Sequence, residues 1–541
     1  MTVPRPTAAD LVAGISIAGL LLPEAVAYSG LAGLPPQAGV IGLFAGLLAY
    51  GLIGSSRFAV VSATSSSAAV LFAATATMAG GDPLVRAALS AGLVLLAGGL
   101  FVAAGMARLG ALSSLIAKPV LRGFAFGLAL TIVIKQLPKM LVLPASHGNF
   151  FEAGWGLLVH WHDANPAGAA MGLAALVALG LLARWRSLPA ALLVIVAGVA
   201  LDAGGYCAHW LIPAVGAMTL DLSHAGVPAL AVEQWLRLGE LAFALMLILY
   251  AESYGSIRTF ALRHGDEVNA NRDLVALGAA NLLSGLFQGT PVGAGYSATS
   301  ANEAAGAQSR AAGLIAGLVV LVAVVALLPW IARIPEPILA AIVVHAVAHT
   351  LSLTPMRSYF RWRRDRVVTL AAIAAVLALG VLDGLLAAIA VSLLRLLQGF
   401  SRASVTWLGR LGDGHDYVDA ARHPDAVTPP RLLIARPEEP LFFGNVDAIF
   451  AVIRGRLGER DDIDRIVVSL EESPDLDATS IEALGDFAAF VRGRGVELIL
   501  ARVKDPVRDV LDRVGLPELP RAAYAAWSVD DAVNGKPPAP H

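Results

Sequence analysis

Cysteine is almost missing from this chain. Cys207 is the one cysteine in 541 residues, so no intramolecular disulfide and no cysteine-ligated metal site can form. Charge is scarce as well: Asp, Glu, Lys and Arg make up 15% of the chain, against roughly 25% in soluble domains. With 39 basic and 41 acidic residues the net charge is −2, which gives a nucleic acid no positive surface to bind. No nucleophile–base pair, metal-ligand cluster or glycine-rich phosphate loop stands out, so neither an enzyme nor a bound metal or cofactor is expected. The opening stretch "MTVPRPTAADLVAGIS" lacks a basic n-region followed by a cleavage site, and the first apolar segment reads as a retained span.

What is abundant is apolar sequence. Hydrophobic residues make up 57% of the chain and mean hydropathy is +0.70. A membrane-spanning helix needs about 20 apolar residues. Stretches near that length occur at 10–30, 37–53, 63–79, 84–107, 117–136, 167–183 and 187–205, and again at 237–258, 270–288, 298–307, 310–330, 336–352, 366–382 and 384–400. Arginine favours one side of these segments: Arg57, Arg108, Arg184, Arg258, Arg263, Arg272, Arg310 and the run 357–366 fall in alternate connections. The other connections hold Lys135, Lys139, Arg237 and Arg333. By the positive-inside bias both termini are expected in the cytoplasm. Near residue 400 the composition turns polar and strand and helix patterns begin to alternate. The expected organisation is a transmembrane domain at 1–400, a linker at 401–430 and a soluble α/β domain at 431–535.

The polar stretch 206–236 divides the apolar segments into seven and seven, at about 8–208 and 237–400. The tetrapeptide SATS occurs once in each half, as Ser62-Ala63-Thr64-Ser65 and as Ser297-Ala298-Thr299-Ser300, at the opening of the third segment. With an odd number of spans per half, the halves insert with opposite orientation, as an inverted repeat. Extended sequence precedes each copy, "RFAVV" in one and "GTPVGAGY" in the other, and Ser and Thr are favoured N-cap residues. This pattern predicts two half-helices whose N-termini meet inside the membrane. Their unpaired amides and partial positive charge would make an anion site. A plainer reading is that the small residues only allow close helix packing.

Two carboxylates lie inside apolar spans. Glu24 occurs in "GLLLPEAVAYSG" and Glu252 in "LMLILYAESYGS". A charge at the bilayer centre costs at least about 2.5–3.5 kcal/mol, so both are functional candidates. Tyr28 and Ser256 follow them at i+4, on the same helix faces. Pro23 is expected to distort the helix beside Glu24. Asp383, in "LGVLDGLL", reads as a tight turn.

These residues carry a family resemblance. "DLVAGISIAGLLLPEAVAYSGLAGLPPQAGVIGLFAGLLAYGLIGSSRFAVV", "YAESYGSIRTFALRHGDEVNANRDLVALGAANLLSG", "RIPEPILAAIVV" and "LDGLLAAIAVSLLRLL" resemble spans of the sulfate permease (SulP) family, the bacterial relatives of the solute-carrier-26 anion exchangers. "RLLIARPEEPLFFGN", "IDRIVVSLEESPDLDATSIEAL" and "VELILARVKDPVRDVLDRVGL" resemble that family's C-terminal STAS domain.

The resemblance implies an all-α polytopic membrane protein with about 14 transmembrane segments in a 7+7 inverted repeat. A core domain and a gate domain are followed by a cytoplasmic α/β STAS domain. It also implies a homodimer in the bacterial inner membrane, surrounded by lipid, moving its solute by an elevator mechanism. Substrate contacts would fall to Glu24, Tyr28, Ser62, Ala63, Thr64, Ser65, Ser297, Ala298 and Thr299. In related STAS domains the loop matching "DATS" carries a phosphorylated serine, so Thr479 or Ser480 is the regulatory candidate; the alternative is a helix cap.

Three positions depart from the family's common pattern. Ser297-Ala298-Thr299 stands where Ser-Arg-Thr is common, Glu24 where many members carry Gln, and Ser62-Ala63 where Gly-Pro is usual. Two helix ends supply roughly +0.5 each, while two ionised glutamates would supply −2. A cation is therefore expected to accompany the anion, either a proton on Glu24 or a sodium ion at Glu252 with Ser256. The expected activity is secondary transport of sulfate, bicarbonate or a small dicarboxylate, with proton symport first. Sodium symport, an uncoupled exchanger or channel, and a membrane sensor signalling through the STAS domain are the alternatives.

Overall fold

The structure is a computed structural model, and it describes residues 6–76, 78–110, 118–144, 148–184, 190–216, 225–362, 365–401 and 403–535. The first residues of the stretches expected at 117 and 187, part of the polar stretch 206–236, and Arg363 and Arg364 of the basic run lie outside them.

The first unit, Met1–Ser392, is built from helices at the positions of the apolar stretches. The first half holds α1 (Ala8–Leu31), α2 (Pro36–Ile53), β1 (Val61–Ala63), α3 (Ser65–Ala76), α4 (Pro83–Met106), α5 (Lys118–Met140), α6 (Phe150–Val159), α7 (Pro166–Leu182), α8 (Ala190–Ala203) and the single turn α9 (Tyr206–His209). The second half holds α10 (Val232–His264), α11 (Ala270–Leu286), β2 (Val292–Ala294), α12 (Tyr296–Ala304), α13 (Ala311–Ile331), α14 (Glu336–Ala348), α15 (Thr354–Trp362), α16 (Arg366–Leu379) and α17 (Val381–Phe400). Among the described residues α1, α2, α4 and Pro119–Met140 of α5 are each long and apolar enough to cross a membrane.

Local chemistry sets the helix ends. Thr7 and Asp10 close a capping box on α1, while Asp82 caps α4 and Asn269 caps α11. Proline opens α2, α4 and α7, where its missing N–H is not needed. Pro23 does not break α1, which runs as one helix from Ala8 to Leu31. The turn expected at Asp383 lies earlier, at Gly380, whose φ of +92° ends α16. Asp383 stands in the first turn of α17, where a carboxylate complements the helix dipole.

The packing repeats between the halves. α1 packs on α13 as α10 packs on α4; α2 packs on α13 as α11 packs on α4; α1 packs on α12 as α10 packs on α3. α5 packs on α16 as α14 packs on α7, and the pairs α2–α11 and α5–α14 join equivalent elements. Exchanging the two halves leaves this pattern unchanged, which is the signature of the inverted repeat. Helices α1–α4 and α10–α13 form one cluster. Helices α5, α7, α14 and α16 pack chiefly on one another, with α8 beside α7 and α14.

A buried carboxylate fixes the central α2–α11 pair. Asp273 accepts from the Tyr50 hydroxyl at 2.9 Å, from the Ser55 amide at 2.7 Å and from the Ser55 hydroxyl at 2.6 Å. Replacing Asp273 with Ala strands three donors and is expected to cost about 3 kcal/mol. A lowered thermal midpoint of the purified protein checks this, with partial recovery in Asp273→Asn; an unchanged midpoint would show that the clamp contributes nothing.

The second unit, Leu393–His541, is an α/β domain. Its strands are β3 (Val405–Leu411), β4 (Tyr417–Asp419), β5 (Ala426–Val427), β6 (Leu432–Pro437), β7 (Arg465–Ser469) and β8 (Glu497–Ala501), and its helices are α18 (Val446–Gly458), α19 (Ala478–Gly493), α20 (Asp505–Val514) and α21 (Val529–Asn534). The strand order is β4-β3-β6-β7-β8, with β5 on β3. β6, β7 and β8 are parallel, each pair joined through a helix, and β3 is antiparallel to β6. The stretch 401–430, expected as a linker, therefore holds three strands of this sheet. Phe450 and Phe487 stack at 4.6 Å between α18 and α19 in the core.

Candidate functional site

The two half-helices do meet. β1 and β2 pair antiparallel, with Val61 opposite Ala294, Ser62 opposite Gly293 and Ala63 opposite Val292. Each strand leads directly into a short helix, α3 or α12. A two-stranded ribbon leaves edge groups unpaired, and side chains complete them. Asn281 of α11 accepts from the Val292 amide at 3.0 Å and donates to its carbonyl at 2.9 Å. Ser253 of α10 accepts from the Ala294 amide at 2.8 Å. Gly46 of α2 lies against the Val61 carbonyl, where any Cβ would collide.

The two SATS copies are not equivalent in this frame. In the first, Ser62 and Ala63 belong to β1 and Thr64 precedes α3. The Thr64 hydroxyl accepts from the Ser67 amide at 3.1 Å, and its own amide donates to the Ser67 hydroxyl at 3.1 Å. In the second, the residue before the helix is Gly295, with no side-chain cap, and Ser297 lies inside the first turn of α12. Aligning β1 with β2 puts Ser66 against Ser297, four residues from the expected correspondence.

The side chains of the second copy have three different surroundings. Ser297 is exposed. Ala298 is buried in the cluster with Leu43, Val60 and Ala341. The Thr299 hydroxyl accepts from the Val60 amide at 3.4 Å. In α12 it is Tyr296 that lines the cavity beside α3.

That cavity holds about 360 Å³ and is lined by Ser65, Ser66, Glu252, Ser256, Tyr296, Thr350 and a wall of α5 from Leu121 to Ile132. Glu252 reaches across from α10 to the N-terminus of α3. Its carboxylate accepts from the Ser66 hydroxyl, and the Thr64 hydroxyl stands 3.3 Å away as a second donor. Ser66 was not among the residues expected; it is the next residue in the same first turn, and the capping pattern at Thr64 is the signal that would have found it. The Ser256 hydroxyl is not bonded to Glu252: it is buried and has no hydrogen-bond partner among the described residues.

Glu24 is 9% exposed and Tyr28 is 6% exposed. Tyr28 lies within Coulombic range of both Glu24 and Glu252. Among the described residues no hydrogen bond or ion pair engages Glu24, and no lysine or arginine pairs with Glu252. Arg122 was not among the expected residues either. Arg122 of α5 lines the same cavity while its guanidinium donates to the Tyr359 hydroxyl at 2.8 Å.

In the α/β domain Asp477 caps α19, accepting from the Ser480 amide at 2.8 Å and from the Phe443 amide at 2.8 Å. Desolvation pushes the Asp477 carboxyl up, but these donors outweigh it and hold the group below the usual carboxylate range. A depressed carboxyl stabilises the fold above its unfolded value, and that stability is lost as pH falls through the folded one. Asp477→Ala is expected to cost about 1 kcal/mol at neutral pH, with the gap to wild type closing below about pH 4. Hydrogen exchange of α19 amides reads both. Thr479 is exposed and Ser480 buried, so of the two regulatory candidates only Thr479 presents its hydroxyl to a modifying enzyme.

Residues 8–375 match the sequence model of the Sulfate permease family, and residues 423–527 match that of the STAS domain. The chain belongs to the sulfate permease family. A probable sulfate transporter of Mycobacterium tuberculosis is 34% identical over 532 residues, covering 94% of this chain and 92% of that one. The structure of the murine solute carrier 26 member A9, an anion transporter captured in the inward-facing state, superposes with a TM-score of 0.91 at 20% identity, covering 99% of this chain and 92% of that one. The transmembrane domain of a cyanobacterial bicarbonate transporter, BicA, gives a TM-score of 0.64 at 23% identity over 70% of this chain and 96% of that one. At these identities the two structures speak for the fold, while family membership makes this sulfate permease relative a polytopic membrane anion transporter rather than an enzyme.

Proposed function

We propose that this sulfate permease family member is a secondary transporter that carries a small oxyanion, sulfate or bicarbonate, together with a proton. The names of its relatives supply the substrate class: the M. tuberculosis protein is called a sulfate transporter and BicA a bicarbonate transporter. The observation that carries the coupling is the Glu252 carboxylate, bonded to Ser66 and Thr64 at the N-terminus of α3. A helix N-terminus favours negative charge, and here the protein supplies its own. An arriving anion competes with Glu252 for the same donors and is repelled by it. A proton on Glu252 or Glu24 removes the repulsion, so anion and proton enter together. Sodium is the second reading, favoured by the oxygens of Glu252, Ser66 and the unpartnered Ser256 around one space.

The two helix clusters suggest the motion. α1–α4 with α10–α13 would slide as the core against a gate of α5, α7, α8, α14, α16 and α17, held by the partner in a homodimer. The arginine bias supports cytoplasmic termini, in the inner membrane of a bacterium.

The test is uptake of sulfate, bicarbonate and a dicarboxylate into proteoliposomes under an imposed proton gradient, a sodium gradient or neither. Proton-driven accumulation supports the proposal. Accumulation driven by sodium alone selects the second reading. Equal fluxes under all three conditions sink coupled transport in favour of an exchanger or channel, and no flux of any anion sinks the transport reading.

A further inference from the structure

A second cavity lies along the same α3–α5 seam, and three cations face it. It holds about 210 Å³ and is lined by Arg86 of α4, by Lys135 and Lys139 of α5 and by Phe72 of α3. Ile132 lines both this cavity and the one at Glu252. Ala69, on the wall of the basic cavity, lies one helical turn beyond Ser65 and Ser66 on the wall of the other. The two spaces are therefore neighbours along one helix, the second toward the C-terminal ends of α1 and α5.

The cations are held but not neutralised. The Arg86 guanidinium carbon lies 5.1 Å from the centre of the Phe72 ring, and Lys135 Nζ lies 5.4 Å from it. Arg86 Nε is buried with no hydrogen-bond partner among the described residues. Lys139 Nζ donates to the Gly30 carbonyl at 3.1 Å, leaving two of its donors to spare. The connection from α1 to α2 makes room for these heads: Gly33 has φ +69°, and a Cβ there would stand 2.6 Å from Arg86 Nη1. Glu152 and Glu336 lie within Coulombic range of Lys135 and Lys139 respectively. Neither lines the cavity, and the Glu152 carboxylate already accepts from the Asn149 amide at 2.9 Å.

Three like charges around one space repel one another unless an anion joins them. Long basic side chains near a membrane surface are usually read as snorkelling. The buried, unpartnered Arg86 Nε and the aromatic ring beneath two of the cations do not fit that reading. The two lysines also stand on the side of the membrane that the arginines avoid.

We propose that Arg86, Lys135 and Lys139 form an anion-collecting site for a small oxyanion, its lysines one and two helical turns beyond Ile132 on α5, on the outer side of the seam. Several oxygens of a tetrahedral or planar oxyanion can take the spare N–H donors of all three. The site concentrates anions before they meet the Glu252 carboxylate, whose repulsion it offsets at a distance. Its placement on the outer face rests on the orientation proposed above.

Equilibrium binding of radiolabelled sulfate to the purified full-length protein tests the site without requiring transport. In the triple variant Arg86→Gln, Lys135→Gln, Lys139→Gln sulfate affinity is expected to fall at least about 10-fold, the lower range of electrostatic focusing. The charge-keeping pair Lys135→Arg, Lys139→Arg is expected to retain binding, which separates loss of charge from loss of fold. In proteoliposomes of fixed orientation the triple variant raises KM for external sulfate by a similar factor and leaves KM from the opposite face unchanged. Wild-type protein that binds no sulfate, or a folded triple variant that binds it as tightly as wild type, overturns the proposal. Binding that depends on the three cations in a protein showing no flux leaves this site standing and removes the transport reading instead.

Discussion

Replacing Glu24 with Gln is expected to abolish proton-driven anion accumulation while leaving anion counterflow and the thermal midpoint close to wild type. Glu24 is buried in α1 beside Tyr28, with no hydrogen-bond or ion-pair partner among the described residues. An ionised carboxylate in such a place lacks a countercharge, and the unmet cost of a buried unpaired ion amounts to several kcal/mol. A proton supplies what the surroundings do not. Glutamine has nearly the shape of the protonated acid but cannot release the proton on the far side. The variant should therefore complete the conformational cycle with its anion and gain nothing from a pH gradient. A loss of at least about 100-fold in the accumulation ratio corresponds to some 2.7 kcal/mol, well within what one buried charge supplies. Undiminished pH-driven accumulation in Glu24→Gln vesicles would remove Glu24 from the coupling. Accumulation surviving in Glu24→Gln but lost in Glu252→Gln would move the proton to Glu252.

The fold was readable because hydrophobic length acts over whole segments, and the helices stand where those segments are. The α/β pattern β6–α18–β7–α19–β8 was equally plain. β3 was not, since "RASVTWLGRLGDG" mixes strand residues with turn residues and owes its state to pairing with β6, a tertiary effect. At the site the sequence indicated the meeting of two half-helices but not the register in which they meet. Matching SATS to SATS assumed that identical letters hold identical positions. The register is set by β1 against β2, and in that frame Ser66 and Tyr296 hold cavity positions while Thr299 ties α12 to Val60. Arg122, in "KPVLRGFAFGLAL", carries no local mark of its place on the cavity wall, which follows from how α5 packs.

Replacing Glu252 with Gln should have the opposite sign on binding from that of an ordinary site mutation: anion affinity rises. In the wild type the Ser66 and Thr64 hydroxyls and the N-terminus of α3 are directed at a carboxylate that belongs to the protein. An incoming anion must share those donors with a like charge. At a separation of about 4 Å and an effective dielectric near 20, that repulsion is about 4 kcal/mol before screening by solvent in the cavity. If a third to a half of it survives, removing the charge tightens sulfate binding by about 10-fold. It should also weaken the pH dependence of binding, because only the part that Glu24 supplies is left. The competing account makes Glu252 a structural acceptor that only holds α10 to α3. On that account Gln, whose amide oxygen still accepts from Ser66, leaves affinity unchanged, while Ser66→Ala and Glu252→Ala both lower the thermal midpoint. Sulfate binding to wild type, Glu252→Gln and Ser66→Ala across a pH series separates the two. Tighter, less pH-dependent binding in Glu252→Gln alone identifies the carboxylate as a tethered competitor, and equal affinities in wild type and Glu252→Gln at every pH exclude it.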